Sequence, residues 1–361
     1  MPQETPCLKV AKQHCEETVV AVNKLGLTDK GLQIQKGNED SLYIPLQRQP
    51  NEEEMALLRA RTPEVQLASC VFPEKKRQEK TLMETLQDLL PPHLPANIPR
   101  ALDIVGDIAI VEIPPELEPY KVAVGEAILK VHKNVRVALA KAGKVSGTYR
   151  LRDFEFIAGE HRTCTVYKEN GCSYYVDVAK AYFSPRLSHE RERVASLVQE
   201  GETVVDLFAG VGPFAILIAK TSEHAKVFAV DINPEAVAML ERNAILNRVE
   251  NRVFSIVGDA RKIVDEQLEG MADRVIMNLP ETACKFVDVA CKAVKSTGGV
   301  VHFYGFVRSP NTLENMKSRF SEAVSKTGRK VETFLEAKAV RETAPYECQA
   351  VLDAKIASFS Q

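Results

Sequence analysis

The chain contains, between residues 204 and 214, the stretch Val204-Val205-Asp206-Leu207-Phe208-Ala209-Gly210-Val211-Gly212-Pro213-Phe214. An apolar run leads into an acid, a pair of glycines follows, and the apolar residues then take the spacing of a helix, which predicts a strand, a tight turn and a helix. Gly210 and Gly212 have no Cβ, so a ligand can approach the backbone of the turn closely. We therefore predict an α/β sheet with a ligand site that begins at this turn.

The spacing of the turn residues distinguishes between two classes of ligand. A dinucleotide site would need a third glycine at position 215, so that a pyrophosphate can lie on the helix N-terminus. The chain has Ala215 there, and Asp206 ends the strand. A carboxylate repels phosphate and attracts an ammonium group. The cofactor that we expect is S-adenosylmethionine, which carries a cationic amino-acid group and no phosphate.

Further apolar runs also end in polar residues: 226–230 before Asp231, 252–257 before Asp259, and 274–277 before Asn278. In an open α/β sheet, ligands bind outside the carboxyl ends of the strands. We therefore expect Asp231 to hold a ribose and Asp259 to accept a hydrogen bond from an adenine amino group. Any one of these residues could instead be a helix cap or a turn residue.

The composition limits the class of protein. The chain has 361 residues, of which 45% are hydrophobic, and a formal net charge of -2. It is not globally basic, which argues against a nonspecific binder of polyanions. No apolar run reaches the ~18 to 20 residues of a membrane span and no signal-peptide pattern is present, so we expect a cytoplasmic protein with no membrane partner. The cysteines form no Cys-x-x-Cys pair, which predicts reduced thiols and no metal site.

Charge and proline content predict the domain organisation. The charged run 74–77 and the prolines at 91, 92, 95 and 99 indicate a linker. We expect a small N-terminal α/β domain over 1–75, a linker and helix over 76–99, a middle α+β domain over 100–198, and an α/β domain over 199–361.

Local patterns predict individual elements. In the N-terminal half we expect a helix over 8–25, strands around a turn at 37–40, a helix over 82–90, a hairpin that turns at Gly106-Asp107, and a helix over 120–140. Near the C-terminus we expect strands over 300–304, 330–335 and 348–352, a helix over 313–325, and a loop over 341–346 to which we assign no role.

A basic stretch lies in the middle domain. No acid occurs between Glu126 and Asp153, whereas the basic residues there are Lys130, Lys133, Arg136, Lys141, Lys144, Arg150 and Arg152. Such a stretch is usually a solvated face. Here it comes directly before the cofactor domain, where a module that holds the substrate is expected, and phosphates are matched by lysine and arginine. We therefore expect nucleic-acid contacts at Lys133 and Arg136.

Several motifs, in a fixed order, resemble those of one family. They are Tyr182-Phe183-Ser184-Pro185-Arg186-Leu187 followed by Glu190-Arg191, the stretch 206–214, Asp231-Ile232-Asn233-Pro234, and Asn278-Leu279-Pro280. Together they closely resemble the archaeal-type tRNA (guanine-37 N1) methyltransferases, and the resemblance spans nearly the whole chain. It implies an N-terminal domain that contacts the outer corner of tRNA, a middle RNA-binding domain, and a class I, Rossmann-like S-adenosylmethionine-dependent methyltransferase domain. It also implies the anticodon loop, at guanosine 37, as the target. We expect a monomer.

The resemblance also implies residue roles. The expected cofactor residues are Asp206, Phe208, Gly210, Gly212, Asp231, Ile232, Asp259, Asn278 and Pro280, and the expected RNA residues are Tyr182, Pro185, Arg186, Arg150, Lys133 and Arg136. Guanine N1 carries a proton, so methylation needs a base and a group that stabilises charge on O6. Glu190 matches the base of the family and Arg150 the arginine near O6, while Asn278 would read the guanine edge. The nucleotide must leave the loop stack, since N1 lies on its pairing edge.

Two other functions stay open. One is an enzyme of wyosine biosynthesis, which would transfer an aminocarboxypropyl group to a modified guanosine or methylate the tricyclic base. The other is a noncatalytic RNA-binding module with a vestigial cofactor pocket, which the intact Asp206, Gly210, Gly212 and Asp231 disfavour. Asn278-Leu279-Pro280 differs from the Asn-Pro-Pro-Tyr motif of enzymes that methylate exocyclic amines.

Overall fold

The computed structural model describes residues 4–37, 40–62, 64–73, 81–87, 89–91, 94, 98–99, 101–143, 147–308 and 312–358. The chain forms two compact units, Met1–Lys80 and Thr81–Gln361. The predicted charged run 74–77, two of the four predicted linker prolines, Pro92 and Pro95, turn residues 38–39 and Lys144 lie outside the described residues. Among the described residues, no helix is long and apolar enough to cross a membrane.

The N-terminal unit is an antiparallel sheet with two helices. Its strands are β1 Thr5–Ala11, β2 Gln35–Lys36, β3 Ser41–Pro45 and β4 Gln66–Cys70, in the order β2-β3-β1-β4, and its helices are α1 Cys15–Lys24 and α2 Glu52–Arg61. The predicted helix over 8–25 is wrong in its first part, because residues 8–11 belong to β1. Leu8 and Val10 are buried at the two-residue spacing of a strand.

The second unit begins with a four-stranded sheet. Its elements are α3 Leu82–Leu86, β5 Leu102–Val105, β6 Ile108–Val111, α4 Lys121–Val131, β7 Val137–Lys141 and β8 Phe154–Gly159, with the strands in the order β5-β6-β7-β8. The predicted hairpin at Gly106-Asp107 is confirmed. The predicted helix over 120–140 is wrong after Val131, where the chain turns and forms β7. Val137 and Leu139 enter one core, and Ala138 and Ala140 enter another. A strand buried on both faces lacks the alternation that identifies strands in a sequence.

A hairpin and a helix lead into the cofactor region. They are β9 Cys164–Glu169, β10 Cys172–Asp177 and α5 Ser188–Leu197. Tyr174 and Val176 of the hairpin share a core with Val204 and Phe214. The predicted domain boundaries at 75, 99 and 198 stay predictions.

A seven-stranded sheet completes the chain. Its strands are β11 Thr203–Asp206, β12 Lys226–Asp231, β13 Val253–Val257, β14 Arg274–Met277, β15 Gly299–Arg308, β16 Val331–Ala344 and β17 Glu347–Ile356, in the order β13-β12-β11-β14-β15-β17-β16. Its helices are α6 Pro213–Thr221, α7 Pro234–Leu246, α8 Ala260–Ile263, α9 Val287–Ala293 and α10 Leu313–Ser325. Strands β11 to β15 are parallel and β17 runs antiparallel between β15 and β16. The predicted α/β class and the antiparallel last strand are confirmed.

The predicted loop over 341–346 is wrong for most of its length. Residues 341–344 continue β16, and Arg341 pairs in register with Gln349 of β17. The polar sequence Arg341-Glu342-Thr343 lacks the pattern of a strand. The register of β16 shifts repeatedly against β17, so no regular alternation of apolar residues results. Strand β16 therefore reaches the region where the parallel strands end.

Candidate active site

A cavity of about 330 Å³ lies at the carboxyl ends of the parallel strands. The predicted residues that line it are Phe208, Gly210, Asp231, Ile232, Asp259, Asn278, Pro280, Tyr182 and Arg150. They lie at or just after the carboxyl ends of β11, β12, β13 and β14 and in the loops before α5 and β8. The fold thus brings most of the predicted cofactor residues and part of the predicted RNA residues to one site.

The glycine turn and Asp231 form one hydrogen-bonded unit. Gly210 has φ 55° and Gly212 has φ 88°, both in the left-handed region, and a Cβ on Gly212 would lie 2.8 Å from Leu240 Cγ. The Gly210 amide donates to Asp231 Oδ2 over 2.7 Å, and the Asn233 amide donates to Oδ1 over 2.9 Å. Burial raises the pKa of Asp231, against the effect of these amide bonds. The carboxylate is therefore fixed at the cavity, where a diol can bind it.

Asp206 is fully buried and is not among the residues that line the cavity. Its Oδ1 accepts a hydrogen bond from the Phe208 amide, whereas Oδ2 has no partner among the described residues. Burial raises the pKa of Asp206 to about 7, the charge of Asp231 adds to the rise, and the Phe208 amide opposes it. An unpaired buried carboxylate oxygen is costly to a structure, so it fits the cationic group of a ligand better than a packing role. Gly212 does not line the cavity either.

Apolar residues and a further acid also line the cavity. Phe208 and Phe286 line it and pack edge to face, with ring centroids 5.1 Å apart, and Ile232 lines it as well. Asp259 lines the cavity and also caps α8, since its side chain accepts from the amides of Arg261 and Lys262. This arrangement suits a flat aromatic group with an amino substituent.

Glu190 lies on α5, is 5% exposed, and does not line the cavity. Arg193 donates from Nε to Glu190 Oε2 over 2.9 Å and from Nη2 to Oε1 over 2.6 Å. The Tyr304 hydroxyl also donates to Oε1, over 2.7 Å. Its neighbours on the same helix turn, Leu187 and Arg191, do line the cavity. The predicted base thus lies beside the site with both oxygens engaged.

A buried polar network continues from Glu190 through the sheet. Arg193 Nη1 donates to Asp353 over 2.6 Å, and His302 Nδ1 lies 2.6 Å from Asp353. His302 Nε2 lies 2.9 Å from Arg274 Nη1. Arginine only donates, so Nε2 accepts and Nδ1–H donates to Asp353. Burial lowers the pKa of His302. Burial opposes ionisation of Asp353, but His302 and Arg193 lower its pKa to about 2. No local sequence pattern indicates this network, because its members are far apart along the chain.

Arg150 lies on the cavity rim in a strained conformation. Its φ of 55° is in the left-handed region, which costs a non-glycine residue about 1 to 2 kcal/mol. Its guanidinium forms a bidentate pair with Glu281, at 2.7 and 2.8 Å, and lies 6.0 Å from the Tyr182 ring centroid. Glu281, which the sequence analysis did not select, follows Asn278-Leu279-Pro280. The pair joins the loop before β8 to the loop after β14.

The remaining predicted RNA residues do not line the cavity at the carboxyl ends of the parallel strands. Pro185 and Arg186 line an adjacent cavity of about 260 Å³, which shares Arg150 and Tyr182 with the first. Lys133 and Arg136 are exposed just before β7 and line neither cavity. The basic stretch is thus divided by β7, with Lys141 and Arg152 at the adjacent cavity. Among the described residues, no group of three or more His, Cys, Asp or Glu side chains could hold a metal ion.

Comparison with known proteins gives consistent matches. Residues 165–332 match the family model of the TRM5/TYW2 methyltransferase domain, and residues 82–163 match that of the TYW2 N-terminal domain. The tRNA (guanine(37)-N(1))-methyltransferase Trm5b of Pyrococcus abyssi is 46% identical over 267 residues, which are 74% of this chain and 78% of that protein. Trm5b of Methanocaldococcus jannaschii is 35% identical over 97% of this chain and 98% of its own. The tRNA 4-demethylwyosine(37)-methyltransferase Taw21 of Saccharolobus solfataricus is 40% identical over 62% of this chain and 82% of its own.

Solved structures agree with these matches. The crystal structure of Pyrococcus abyssi Trm5b has a TM-score of 0.74 and 38% identity, and the match covers 98% of this chain and 99% of that one. A complex of aTrm5 with tRNALeu has a TM-score of 0.70 and 32% identity, with 97% and 99% covered. TYW2 of Methanocaldococcus jannaschii in complex with AdoMet has a TM-score of 0.56 and 30% identity, with 72% and 100% covered.

Proposed function

The chain belongs to the TRM5/TYW2 methyltransferase family, and we propose that it transfers the methyl group of S-adenosylmethionine to N1 of guanosine 37 of tRNA. Its cofactor is S-adenosylmethionine, as in the family. The observation that carries the proposal is that one cavity is lined both by Gly210 and Asp231 of the turn and by Arg150, Asn278 and Tyr182. We propose that one part of this cavity, the cofactor end, holds the adenosyl group and that another part, the substrate end, presents polar groups to a base.

The chain's residues fit the cofactor at the first end. Asp231, held by amide donors on both oxygens, would bind the ribose hydroxyls, and Asp259 the adenine amino group. Phe208 and Ile232 would pack against the adenine ring. The unpaired oxygen of Asp206 supplies negative charge for the ammonium group. S-adenosylmethionine, when bound, supplies an electrophilic methyl group.

The groups at the second end fit the chemistry of guanine N1. Loss of the N1 proton places negative charge on O6, and fixed hydrogen-bond donors stabilise such charge. Arg150 carries five N–H donors, of which the Glu281 pair uses two, so donors remain for O6. Asn278 lies on the cavity wall near the same end. Tyr182, whose ring is half exposed, offers a surface on which the base can stack.

The base for the N1 proton is proposed to be Glu190. Among the described lining residues, the carboxylates are Asp231 and Asp259, and both belong to the cofactor end. We propose that Glu190, which lies between the lining residues Leu187 and Arg191 in sequence, turns its carboxylate toward the cavity when it is released from Arg193 and Tyr304. Glu281 at the rim is the other carboxylate near the substrate end. Substitution of each glutamate by glutamine distinguishes the two.

We propose that tRNA contacts extend beyond the cavity. Tyr182, Pro185 and Arg186 would hold the anticodon loop, and Lys133 and Arg136 would contact phosphates. The unit Met1–Lys80 would contact the outer corner of tRNA. The relative seen in complex with tRNALeu supports tRNA as the substrate. On the same basis we propose a cytoplasmic monomer.

The test is transfer of labelled methyl from S-adenosylmethionine to unmodified tRNA transcripts with guanosine or adenosine at position 37, followed by nucleoside analysis. The expected result is 1-methylguanosine from the guanosine transcript alone. Product from the adenosine transcript, or a different methylated nucleoside, would contradict the proposal.

A second candidate is an enzyme of wyosine biosynthesis. It is favoured by the match of residues 82–163 to the TYW2 N-terminal domain and by the 40% identity to Taw21. The same assay with tRNA that carries 4-demethylwyosine at position 37 tests it. Transfer to this tRNA and none to the unmodified transcript, with cofactor binding intact, would replace the first candidate by the second.

A further inference from the structure

Three cavity residues form a chain of hydrogen bonds that ends at Asn278. Arg341 Nε donates to Gln349 Oε1 over 2.9 Å, and Gln349 Nε2 donates to Asn278 Oδ1 over 3.2 Å. Arg341 also donates from Nη1 to Ser184 Oγ over 3.3 Å. Arg341 and Gln349 are register partners on β16 and β17, and Gln349 is 1% exposed. The terminal strands thus contact the predicted substrate residue directly.

The chemistry of arginine fixes the direction of every bond in this chain. A guanidinium has donors and no acceptor, so the oxygen of the Gln349 amide must face Arg341. The Gln349 amino group then faces Asn278, and since it only donates, the oxygen of Asn278 must face Gln349. The Asn278 amino group is left for the cavity. An asparagine without such partners could present either its oxygen or its amino group.

We propose that Arg341 and Gln349 are positioning residues that make Asn278 a hydrogen-bond donor toward guanine O6 and so disfavour adenosine at position 37. The inference rests on the proposed function. Guanine carries the acceptor O6 beside N1, whereas adenine carries a donor amino group at the same place. If adenosine entered the site, the Asn278 amino group would face the adenine amino group and both would be left without an acceptor. Buried polar groups that are left unpaired are the main reason why a polar site discriminates against a wrong substrate.

The test uses variants of the full chain in two measurements, namely kcat/KM with the guanosine transcript and competition by the adenosine transcript. Gln349→Glu replaces the amide by a group that only accepts, so the Asn278 amide turns its oxygen to the cavity. We expect kcat/KM with the guanosine transcript to fall roughly 10- to 100-fold, the range for leaving one buried hydrogen-bonding group unpaired. Competition by the adenosine transcript should become stronger. Gln267→Glu, an exposed position with the same change of charge, is the matched control and should change neither value.

Substitutions of Arg341 test the direction of the chain without placing a charge at Gln349. Arg341→Lys keeps a group that only donates and should retain the preference for guanosine, whereas Arg341→Met should lose most of it. Cofactor binding is measured for every variant, so that a loss of the preference for guanosine is separated from a loss of cofactor. The inference is overturned if Gln349→Glu binds cofactor and keeps the full preference. If Gln349→Glu does not fold, equal behaviour of Arg341→Lys and Arg341→Met overturns it. A parent enzyme that forms no 1-methylguanosine refutes the proposed function itself, whatever the variants do.

Discussion

Burial of the Asp206 carboxylate lowers the stability of the protein when no cofactor is bound. It is fully buried, and one of its oxygens has no hydrogen-bond partner in the described part of the chain. Its pKa, about 7, lies well above the usual value of an aspartate. The unfolded chain therefore releases this proton near pH 4, whereas the folded protein holds it until about pH 7. The contribution of Asp206 to the free energy of unfolding thus falls as pH rises through this window.

In the variant Asp206→Asn, the decrease in the free energy of unfolding that Asp206 causes as pH rises should be absent. The free energy of unfolding of the variant relative to the parent should increase from pH 4 to pH 7 and then level off, with a total change of about 2 to 4 kcal/mol. Urea unfolding of the free protein at pH 4.5 and pH 8 measures it. The affinity for S-adenosylmethionine should fall at the same time, because the negative charge opposite the ammonium group is lost. The same relative stability at both pH values would contradict the raised pKa.

Substitution of Glu190 and Glu281 distinguishes the two possible bases. Glu190→Gln should lower the methyl-transfer rate by roughly 10²- to 10⁴-fold, the range of a positioned general base, while tRNA affinity changes little. Glu281→Gln is the matched control: it keeps a hydrogen-bond acceptor for Arg150 and should lower the rate less than about 10-fold. Single-turnover kinetics with saturating tRNA give the chemical step. A larger loss in Glu281→Gln would assign the base to Glu281 and leave Glu190 as a packing residue.

At the scale of elements, α5 is joined to β15 and β17 by buried charge rather than by apolar packing alone. Arg193 of α5 bonds Asp353 of β17, which also bonds His302 of β15. Tyr304 of β15 bonds Glu190 of α5. The pKa of Asp353 is lowered to about 2, so its contribution to stability is complete above about pH 4 and is lost as pH falls toward 2. These bonds fix the helix that carries the proposed base.

Asp353→Asn should lower the free energy of unfolding at pH 7 by about 3 kcal/mol, because a buried pair is broken on one side and Arg193 loses one of its two charged partners. Asp265→Asn is the control with the same chemical change at an exposed pair with Lys292, and its effect should stay within about 0.5 kcal/mol. Urea unfolding at pH 7 compares them. If the two variants lose similar free energy of unfolding, the buried network contributes no more to the stability of α5 than an exposed ion pair contributes elsewhere.

At the scale of the whole molecule, the positive charge of the basic stretch is divided between two places. Lys141 and Arg152 lie at the cavity beside the active site, and Lys133 and Arg136 lie before β7. The protein has a formal net charge of only -2, so such local groups decide where a polyanion binds.

Replacing Lys133 and Arg136 by glutamine should weaken tRNA binding and reduce the slope of log affinity against log salt by roughly 1 to 2, since each phosphate contact contributes about 0.7 to 0.9. Methyl transfer at saturating tRNA should be unchanged. The control replaces Lys326 and Lys355, which are paired with acids elsewhere on the sheet unit. Binding titrations at several salt concentrations provide the slopes. An unaltered slope would mean that Lys133 and Arg136 do not contact phosphates and form only an ordinary solvated face.

The sequence by itself determined the parts of the site that are local along the chain. The run from Val204 to Phe214, the acids Asp231 and Asp259 after their strands, and Asn278 were predictable because strand, turn and helix preferences act over a few residues. The carboxyl ends of parallel strands meet at one edge, which placed these residues together without further information. The α/β class, the cofactor and the family followed from the same motifs.

Only the tertiary structure decided how the polar groups of the site are paired. Gln349 contacts Asn278 across 71 residues of sequence and Tyr304 contacts Glu190 across 114, so no local pattern relates them. Strand β7 was mistaken for helix because it is buried on both faces, and the polar end of β16 for a loop. Burial, which raises the pKa of Asp206 and withdraws Glu190 from the cavity, depends on what packs around a residue. It is a property of the assembled fold and not of any stretch of the chain.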